Sequence, residues 1–397
     1  MPGRILICRS NAISPDPRVE KIARTLASGG YQVRILGWDM SGNLPEQDDV
    51  AGVPCVRLRV RAKFGRGLSN LGHQLRWQTA LVGWLIHHRK TFDLIHACDF
   101  DTVLPALLCK YVFGKKVIYD IFDFYADMLK ATPGAVKWAI RRVDFKVIGW
   151  VDAVILADDC RREQIAGSQP RRLEVIYNSP EDRRDLVSGQ IALPHNEVDS
   201  PALESPSSER GFSLKIAYTG GMSADRGLFE LVEVVSRRPE WRLDLAGYGA
   251  EESRLAELAA QKPNIFWHGR LPHESALAVN AAADVLVATY SPNVFNNRFS
   301  SPNKLFEAMM LGKPILVARN IGADRIVAAE RCGVVMDYGD LTAMEMALEN
   351  LQSDPGLRDE LGRNGRAAYE RVYNWGNMKI RLLNLYRQVT GLETPPR

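Results

Sequence analysis

Lys304 and Glu307 stand three residues apart in SSPNKLFEAMMLGKPIL, residues 300–316. That spacing puts both on one flank of a helix, while Leu305, Phe306, Met309 and Met310 are placed to bury another. Ser301 suits a cap, Pro302 the first helical position, Gly312 a left-handed exit, and Pro314 forbids continuation into the strand Ile315-Leu316-Val317. The N–H groups of the first turn, from Ser301 through Asn303, Lys304 and Leu305, are then open to an anion. Taken alone, the pair reads equally well as a surface ion pair worth about 0.3–0.5 kcal/mol.

Other loops hold groups of the same chemistry. TGGMSADRG follows a strand and opens a helix, so Gly220 and Gly221 let backbone approach a ligand and Arg226 lies where anions are favoured. Glycine turns of this kind are more often punctuation. Gly247-Tyr248-Gly249 begins a dinucleotide fingerprint, but Glu252 stands where its third glycine belongs, and no GxxxxGK[ST] occurs. Nicotinamide dehydrogenase and phosphate-loop ATPase readings are disfavoured. Asp99-Phe100-Asp101 has the form of a metal-holding DxD, yet it follows a strand of the first half. An acceptor-facing role for Asp99, Asp101, Asp123 and Asp127 is better motivated, against the plain reading of loop aspartates as helix caps.

The elements that must position these groups alternate. RILIC, YQVRILGW, FDLIHAC, KKVIYDIF, VDAVILA and LEVIYNS read as strands with helices between them. After a polar Pro/Ser/Glu-rich stretch the pattern restarts with LKIAYTGG, WRLDLAG, IFWHGR, ADVLVATY, PILVA and GVVMDY. Continuous apolar strands between helices predict two open parallel sheets covered on both faces. The expected division is a first domain at 1–185, a linker at 186–211 and a second domain at 212–375. The final helix, about 376–397, has an apolar period that needs a partner surface, and it could pack back on either domain, the first among them. Such sheets bind ligands at the carboxyl ends of their strands, so the two loop sets are expected to face one another across a cleft. The loop after the first strand adds Asn11 and Arg18 to the candidates.

Composition limits the rest. The chain has 397 residues and six scattered cysteines without metal spacing, which argues against a disulfide framework or a structural zinc. No signal peptide is visible, and the apolar run Ala80–Ile86 is too short to span a bilayer, so a cytoplasmic location is expected. The first 180 residues carry a basic excess and the remainder a smaller acidic one. Residues 51–92 hold Arg57, Arg59, Arg61, Lys63, Arg66, Arg76, Arg89 and Lys90 with no acid. With Trp77, Trp84, Trp138 and Trp150 nearby, this favours docking on anionic lipid at the inner face of the cytoplasmic membrane. The alternative is an ordinary helix with solvated charges. The basic side chains are not interleaved as a stacking platform for nucleic acid.

IAYTGGMSADRGLFEL, LAGYGAEESRL, IFWHGRLPHES, AADVLVATY and SPNKLFEAMMLGKPIL occur in one order and spacing, as do DPRVEKIARTLASGGYQV, DLIHACDFD and VIYNSP before them. Together they resemble the retaining glycosyltransferases of family 4, over nearly all of the chain except 181–211. The resemblance implies the GT-B fold, α/β with two Rossmann-like open parallel-sheet domains. It also implies transfer of a sugar from a nucleotide sugar, a UDP-sugar first and a GDP-sugar second, without a metal.

Glu307 would hold the ribose hydroxyls and Arg226 the diphosphate, with Gly220, Gly221 and Gly247 lining the donor. Arg270 and Leu271 would lie at the nucleobase, and Ser301, Asn303, Lys304 and Leu305 at the phosphates. The acceptor, a saccharide carried on a lipid diphosphate, would meet Asn11, Arg18, Asp101 and Asp123, with Asp99 beside the reacting hydroxyl. Arg226, Lys304 and Asp99 form the expected catalytic set.

Three departures stand out. The first glutamate of the family's pair falls at Phe299, leaving Asn296, Asn297 or backbone in its place. A usual arginine falls at Gly221, and Lys304 is expected to supply that charge. The second histidine of H-x-H is Cys98, with His96 expected in the core. The rival readings are a nucleotide-sugar epimerase of the same fold and a non-catalytic glycosyltransferase-like partner subunit.

Overall fold

The computed structural model describes residues 3–62, 71–129, 132–185 and 211–391. The chain divides into two units, Met1–Tyr177 with Met378–Arg397, and Asn178–Asn377. Most of the 186–211 stretch lies outside the described residues.

Short apolar runs flanked by polar turns make the strands of the first unit. These are β1 (Arg4–Cys8), β2 (Gln32–Asp39), β3 (Gln47–Val50), β4 (Val53–Arg59), β5 (Leu94–Cys98), β6 (Lys116–Ile121), β7 (Ala153–Leu156) and β8 (Leu173–Val175). Their order is β3-β4-β2-β1-β5-β6-β7-β8, parallel throughout except that β3 runs against β4. That β3–β4 hairpin was not legible in the sequence; its two-residue turn has Ala51 and Gly52 both at positive φ. The direction of winding reverses between β1 and β5, so the loops after Cys8 and Cys98 meet at a switch point. The first helix, Pro17–Ser28, starts where its sequence says it should: Asp16 accepts from the Val19 N–H at 3.2 Å and Pro17 opens the first turn.

The second unit carries β9 (Leu214–Gly221), β10 (Trp241–Tyr248), β11 (Ile265–Trp267), β12 (Val285–Ala288), β13 (Ile315–Ala318) and β14 (Gly333–Met336), in the order β11-β10-β9-β12-β13-β14. Here the winding reverses between β9 and β12. Gly220-Gly221 and Tyr290 therefore lie at the second switch point.

The helix Trp375–Thr390 leaves the second unit at Asn377 and continues in the first. There the Tyr177 N–H donates to the Met378 sulfur at 3.2 Å, and the Tyr386 hydroxyl lies 2.7 Å from His96 Nδ1. His96 is fully buried in the core.

Of the basic run at 57–66, Arg57 and Arg59 are tied to groups of their own unit. Arg57 is buried, donating to Asp48 Oδ2 at 2.7 Å and to the Ala12 carbonyl at 2.7 Å, and Arg59 donates to the Leu44 carbonyl. Lys63 and Arg66 lie outside the described residues. Among the described residues no helix is long and apolar enough to cross a membrane.

The second unit is held by a large apolar core around Trp241, whose indole N–H donates to Gln352 Oε1 at 2.6 Å. Replacing Trp241 with alanine removes a fully buried side chain and leaves Gln352 unpaired. The expected loss is about 3–5 kcal/mol of unfolding free energy, read from urea denaturation; a loss under about 1 kcal/mol would show that the core collapses around the gap.

Candidate functional site

Lys304 sits in the first turn of the helix Asn303–Leu311 and is 8% exposed. Its ammonium lies 4.2 Å from the centroid of the Tyr218 ring and 3.5 Å from the Tyr290 hydroxyl. Burial works against its charge, but Tyr218, Tyr290 and Glu307 favour it by more, and the lysine pKa stands above its ordinary value. Burial pushes the Tyr218 phenol up to about 12 against the pull of Lys304, and its hydroxyl donates to the Gly221 carbonyl at 2.7 Å.

Gly220 makes room for this lysine. Its φ is +142°, and a Cβ there would stand 2.6 Å from Lys304 Nζ. At the end of the next strand Gly247 passes so close that a Cβ would fall 1.8 Å from the Gly220 carbonyl oxygen.

Arg226 closes the short turn Ala224–Arg226 and stacks on Tyr290, 3.8 Å from the ring centroid. Tyr290 thus carries a guanidinium on its face and an ammonium at its hydroxyl. Arg226 Nε also donates to Ser223 Oγ at 3.2 Å. Ser223 Oγ in turn donates to Asp225 Oδ1 at 2.6 Å, and Asn297 Nδ2 donates to Asp225 Oδ2 at 3.1 Å. Asp225 is held below the usual carboxylate range: burial pushes it up, while these two hydrogen bonds and Arg226 pull it down further.

Lys304 and Glu307 do not pair with one another. Glu307 Oε2 accepts from Asn280 Nδ2 at 3.3 Å and is half-buried. The helix begins differently from its sequence expectation: Pro302 itself is the cap residue in extended backbone, so Ser301 does not cap, and its buried hydroxyl has no hydrogen-bond partner among the described residues. Leu305 is core, and its N–H already donates to the Pro302 carbonyl at 3.0 Å, which removes it from the anion-facing set. Asn303 is exposed and accepts from Asn178 at 2.7 Å. Arg270 lies over the Tyr248 ring at 4.3 Å, with Leu271 half-buried beside it. Asn297 is buried and donates to Asp225 and to the Ser291 carbonyl, so it is not free to replace the glutamate absent at Phe299. Phe299 packs edge-on against Phe295.

At the switch point of the first unit, Arg9 pairs with Asp99 and with Asp16 and lies over the Phe122 ring at 4.2 Å. Asp99 adopts φ +64°, and its Oδ1 accepts from the Phe122 N–H at 2.9 Å. Burial raises the Asp99 carboxyl to about 6 against the pull of Arg9, with Asp123 and Asp101 adding to the rise. Asp101, also raised by burial, is hydrogen-bonded to Ser10. Asp123 accepts from Arg161 at 2.8 Å and Asp127 from Gln164 at 2.6 Å.

Arg18 is buried rather than available: it donates to Asp120 at 2.8 Å and to the Ile176 carbonyl at 2.7 Å. Asn11 donates to Asp16 at 2.8 Å and accepts from the Ile13 N–H, which makes it a brace of the same loop. Asp99 and Asp101 therefore do not form a shared oxygen pair, and among the described residues no group of three His, Cys, Asp or Glu side chains is placed to hold a metal.

Comparison with known proteins decides the family. The profile described as "Glycosyl transferases group 1" matches residues 204–368, and that described as "Glycosyl transferase 4-like domain" matches residues 15–179. The chain belongs to the family 4-like glycosyltransferases. An uncharacterized glycosyltransferase of Methanocaldococcus jannaschii is 20% identical over 92% of this chain and 92% of its own. Among solved structures, sucrose-phosphate synthase from Thermosynechococcus elongatus superposes with a TM-score of 0.76 at 17% identity, over 98% of this chain and 99% of its own. HepE of Anabaena, solved in complex with UDP and glucose, superposes with a TM-score of 0.68 at 14% identity over 98% of this chain and 100% of its own. These likenesses establish the GT-B fold with its two parallel-sheet α/β domains.

In this glycosyltransferase the structure gathers Gly220, Arg226 and Lys304 about Tyr290. The residues that sequence reasoning missed are the two tyrosines and Asp225. Tyr218 and Tyr290 each lie at or just after a strand end, yet a tyrosine there reads as ordinary sheet packing.

The raised Asp99 carboxyl has a signed consequence. Between about pH 4 and 6 the folded protein keeps a proton that the unfolded chain has lost, so this group's contribution to stability falls as pH rises through that window. Its titration, followed by carbon-detected NMR, is expected near 6. Arg9→Gln is expected to move it higher, because the cation that favours the ionised form is gone; a shift downward would contradict this geometry.

Proposed function

We propose that the protein is a retaining, metal-independent glycosyltransferase that moves a sugar from a UDP-sugar to a saccharide carried on a lipid diphosphate, at the cytoplasmic face of a membrane. The observation that carries the donor assignment is the buried Lys304 ammonium beside the Arg226 guanidinium, two cations at one switch point, with no carboxylate in an ion pair with Lys304 among the described residues. A diphosphate is the ligand such a pair favours, and the helix N-terminus at Asn303 and Lys304 adds to the same field.

In this reading Glu307 takes the ribose hydroxyls, and Arg270 and Leu271 flank the base. UDP is the first choice of nucleotide, as in HepE of Anabaena, solved in complex with UDP and glucose; a GDP-sugar is the second. Loss of the diphosphate is the step that needs charge stabilisation. Positively charged side chains supply it, so no metal is required for that purpose. The departing phosphate then accepts the proton of the incoming hydroxyl on the same face, giving retention. The first unit holds the acceptor, with Asp99, Asp101 and Asp123 at its switch point.

Calorimetry with UDP, GDP, ADP and TDP tests this. UDP is expected to bind. Lys304→Ala and Arg226→Ala are each expected to weaken it about ten- to hundredfold, the range for hydrogen bonds to charged groups. Glu307→Gln is expected to weaken UDP less than either. A silent Lys304→Ala would remove Lys304 from the diphosphate site, and binding of none of the four nucleotides would favour a non-catalytic partner subunit.

A further inference from the structure

The helix Phe100–Phe113 packs against both Leu71–His87 and Gly134–Trp150. All three turn one side to the sheet of the first unit. Trp77 stacks on Trp38 with ring centroids 4.9 Å apart, Val103 and Ala106 are fully buried, and the Tyr119 hydroxyl donates to Asp144 at 3.1 Å. Their outer sides are unusual. Leu104, Leu108, Tyr111 and Val112 follow the i, i+4, i+7, i+8 stripe that a helix normally buries, and here all four are exposed, Tyr111 by 64%. On the neighbouring helix Trp138 is 62% exposed, and Trp150 also faces outward.

Charge on this face has one sign. The three helices contain two carboxylates, of which Asp144 is buried and Asp101 is half-buried and hydrogen-bonded to Ser10. Arg76, Arg142 and Lys146 are exposed, and the Arg142 guanidinium lies 5.3 Å from the Trp138 ring. The outer face is thus aliphatic, aromatic and cationic together.

We propose that this three-helix face docks on an anionic bilayer. Trp138, Trp150 and Tyr111 would sit at headgroup depth, where an amphipathic ring is favoured, and Arg76, Arg142 and Lys146 would lie against lipid phosphates. The proposal gives the lipid-linked acceptor its surface, and in that respect it rests on the reading above. A second copy of the chain is a poorer occupant, because a two-fold contact would set these cations against themselves. Nucleic acid is poorer too, since exposed Leu75, Leu104, Leu108, Val112, Val136 and Val143 outnumber the aromatics Tyr111, Trp138 and Trp150 on which bases would stack.

Flotation of the full chain with phosphatidylcholine vesicles containing about one-third phosphatidylglycerol tests the face, such headgroups carrying the charge that basic side chains read. The protein is expected to float with these vesicles, not with phosphatidylcholine alone, and to be released by high salt. Trp138→Ser with Arg142→Ser and Lys146→Ser is expected to lower the partition about tenfold or more, while UDP binding and the circular dichroism spectrum stay unchanged. Three results would overturn the proposal: no flotation of the wild type at low salt, unchanged flotation of the triple variant, or a dimer that the variant abolishes. Because UDP binding is read separately, a wild type that binds UDP and does not float counts against the face alone. A wild type that floats yet binds none of the four nucleotides counts against the proposed nucleotide-sugar site.

Discussion

A charged lysine buried against two phenol rings is the constraint around which the second unit is arranged. An ammonium removed from water is costly unless other groups replace its hydration. Lys304 finds a ring face, a hydroxyl and, among the described residues, no carboxylate within ion-pair reach. Its neighbours accommodate it: Gly220 lacks the Cβ that would collide with it, and Gly247 lets the adjoining strand end pass close beside Gly220. Tyr290 keeps Lys304 and Arg226 near each other without contact, so two like charges converge on one place. Asp225 lies 3.9 Å from Arg226, whereas Lys304 keeps its charge on ring and hydroxyl contacts, and a cation held in that way favours an anionic leaving group.

The first unit solves the opposite problem. Although the unit is basic as a whole, carboxylates gather around its switch point, and arginines compensate them: Arg9 with Asp16 and Asp99, Arg18 with Asp120, Arg161 with Asp123. Asp120 stays well ionised, because burial pushes it up while Arg18 and His96 pull it down by more. Asp99 is more weakly compensated and rises instead. Carboxylates in one loop cluster thus differ in proton affinity through their surroundings, not through residue type.

The strands and most helices were legible because apolar runs and capping residues are local signals; Asp16-Pro17 and Gly312 mark helix ends in sequence and in structure alike. The β3–β4 hairpin was not, since QDDV carries almost no apolar pattern and pairs only through its neighbour's backbone. Ser301 misled because Pro302, with its fixed φ, took the cap position itself. Charged side chains were the least legible group. Nothing local tells Arg57, which is buried on Asp48, from Arg142, which is exposed. Their fates are set by residues far along the chain, as Arg18 shows by meeting Asp120 and Ile176.

The helix Trp375–Thr390 begins in one unit and ends in the other, and its Tyr386 covers His96. During synthesis the eight strands of the first unit leave the ribosome long before that helix exists. His96, and through it Asp120 and Arg18, waits uncovered while the whole second unit is made. Turns translated after the whole second unit therefore seal a core laid down before it, and a ribosome stalled short of Tyr386 leaves a polar network open to water in an otherwise assembled sheet.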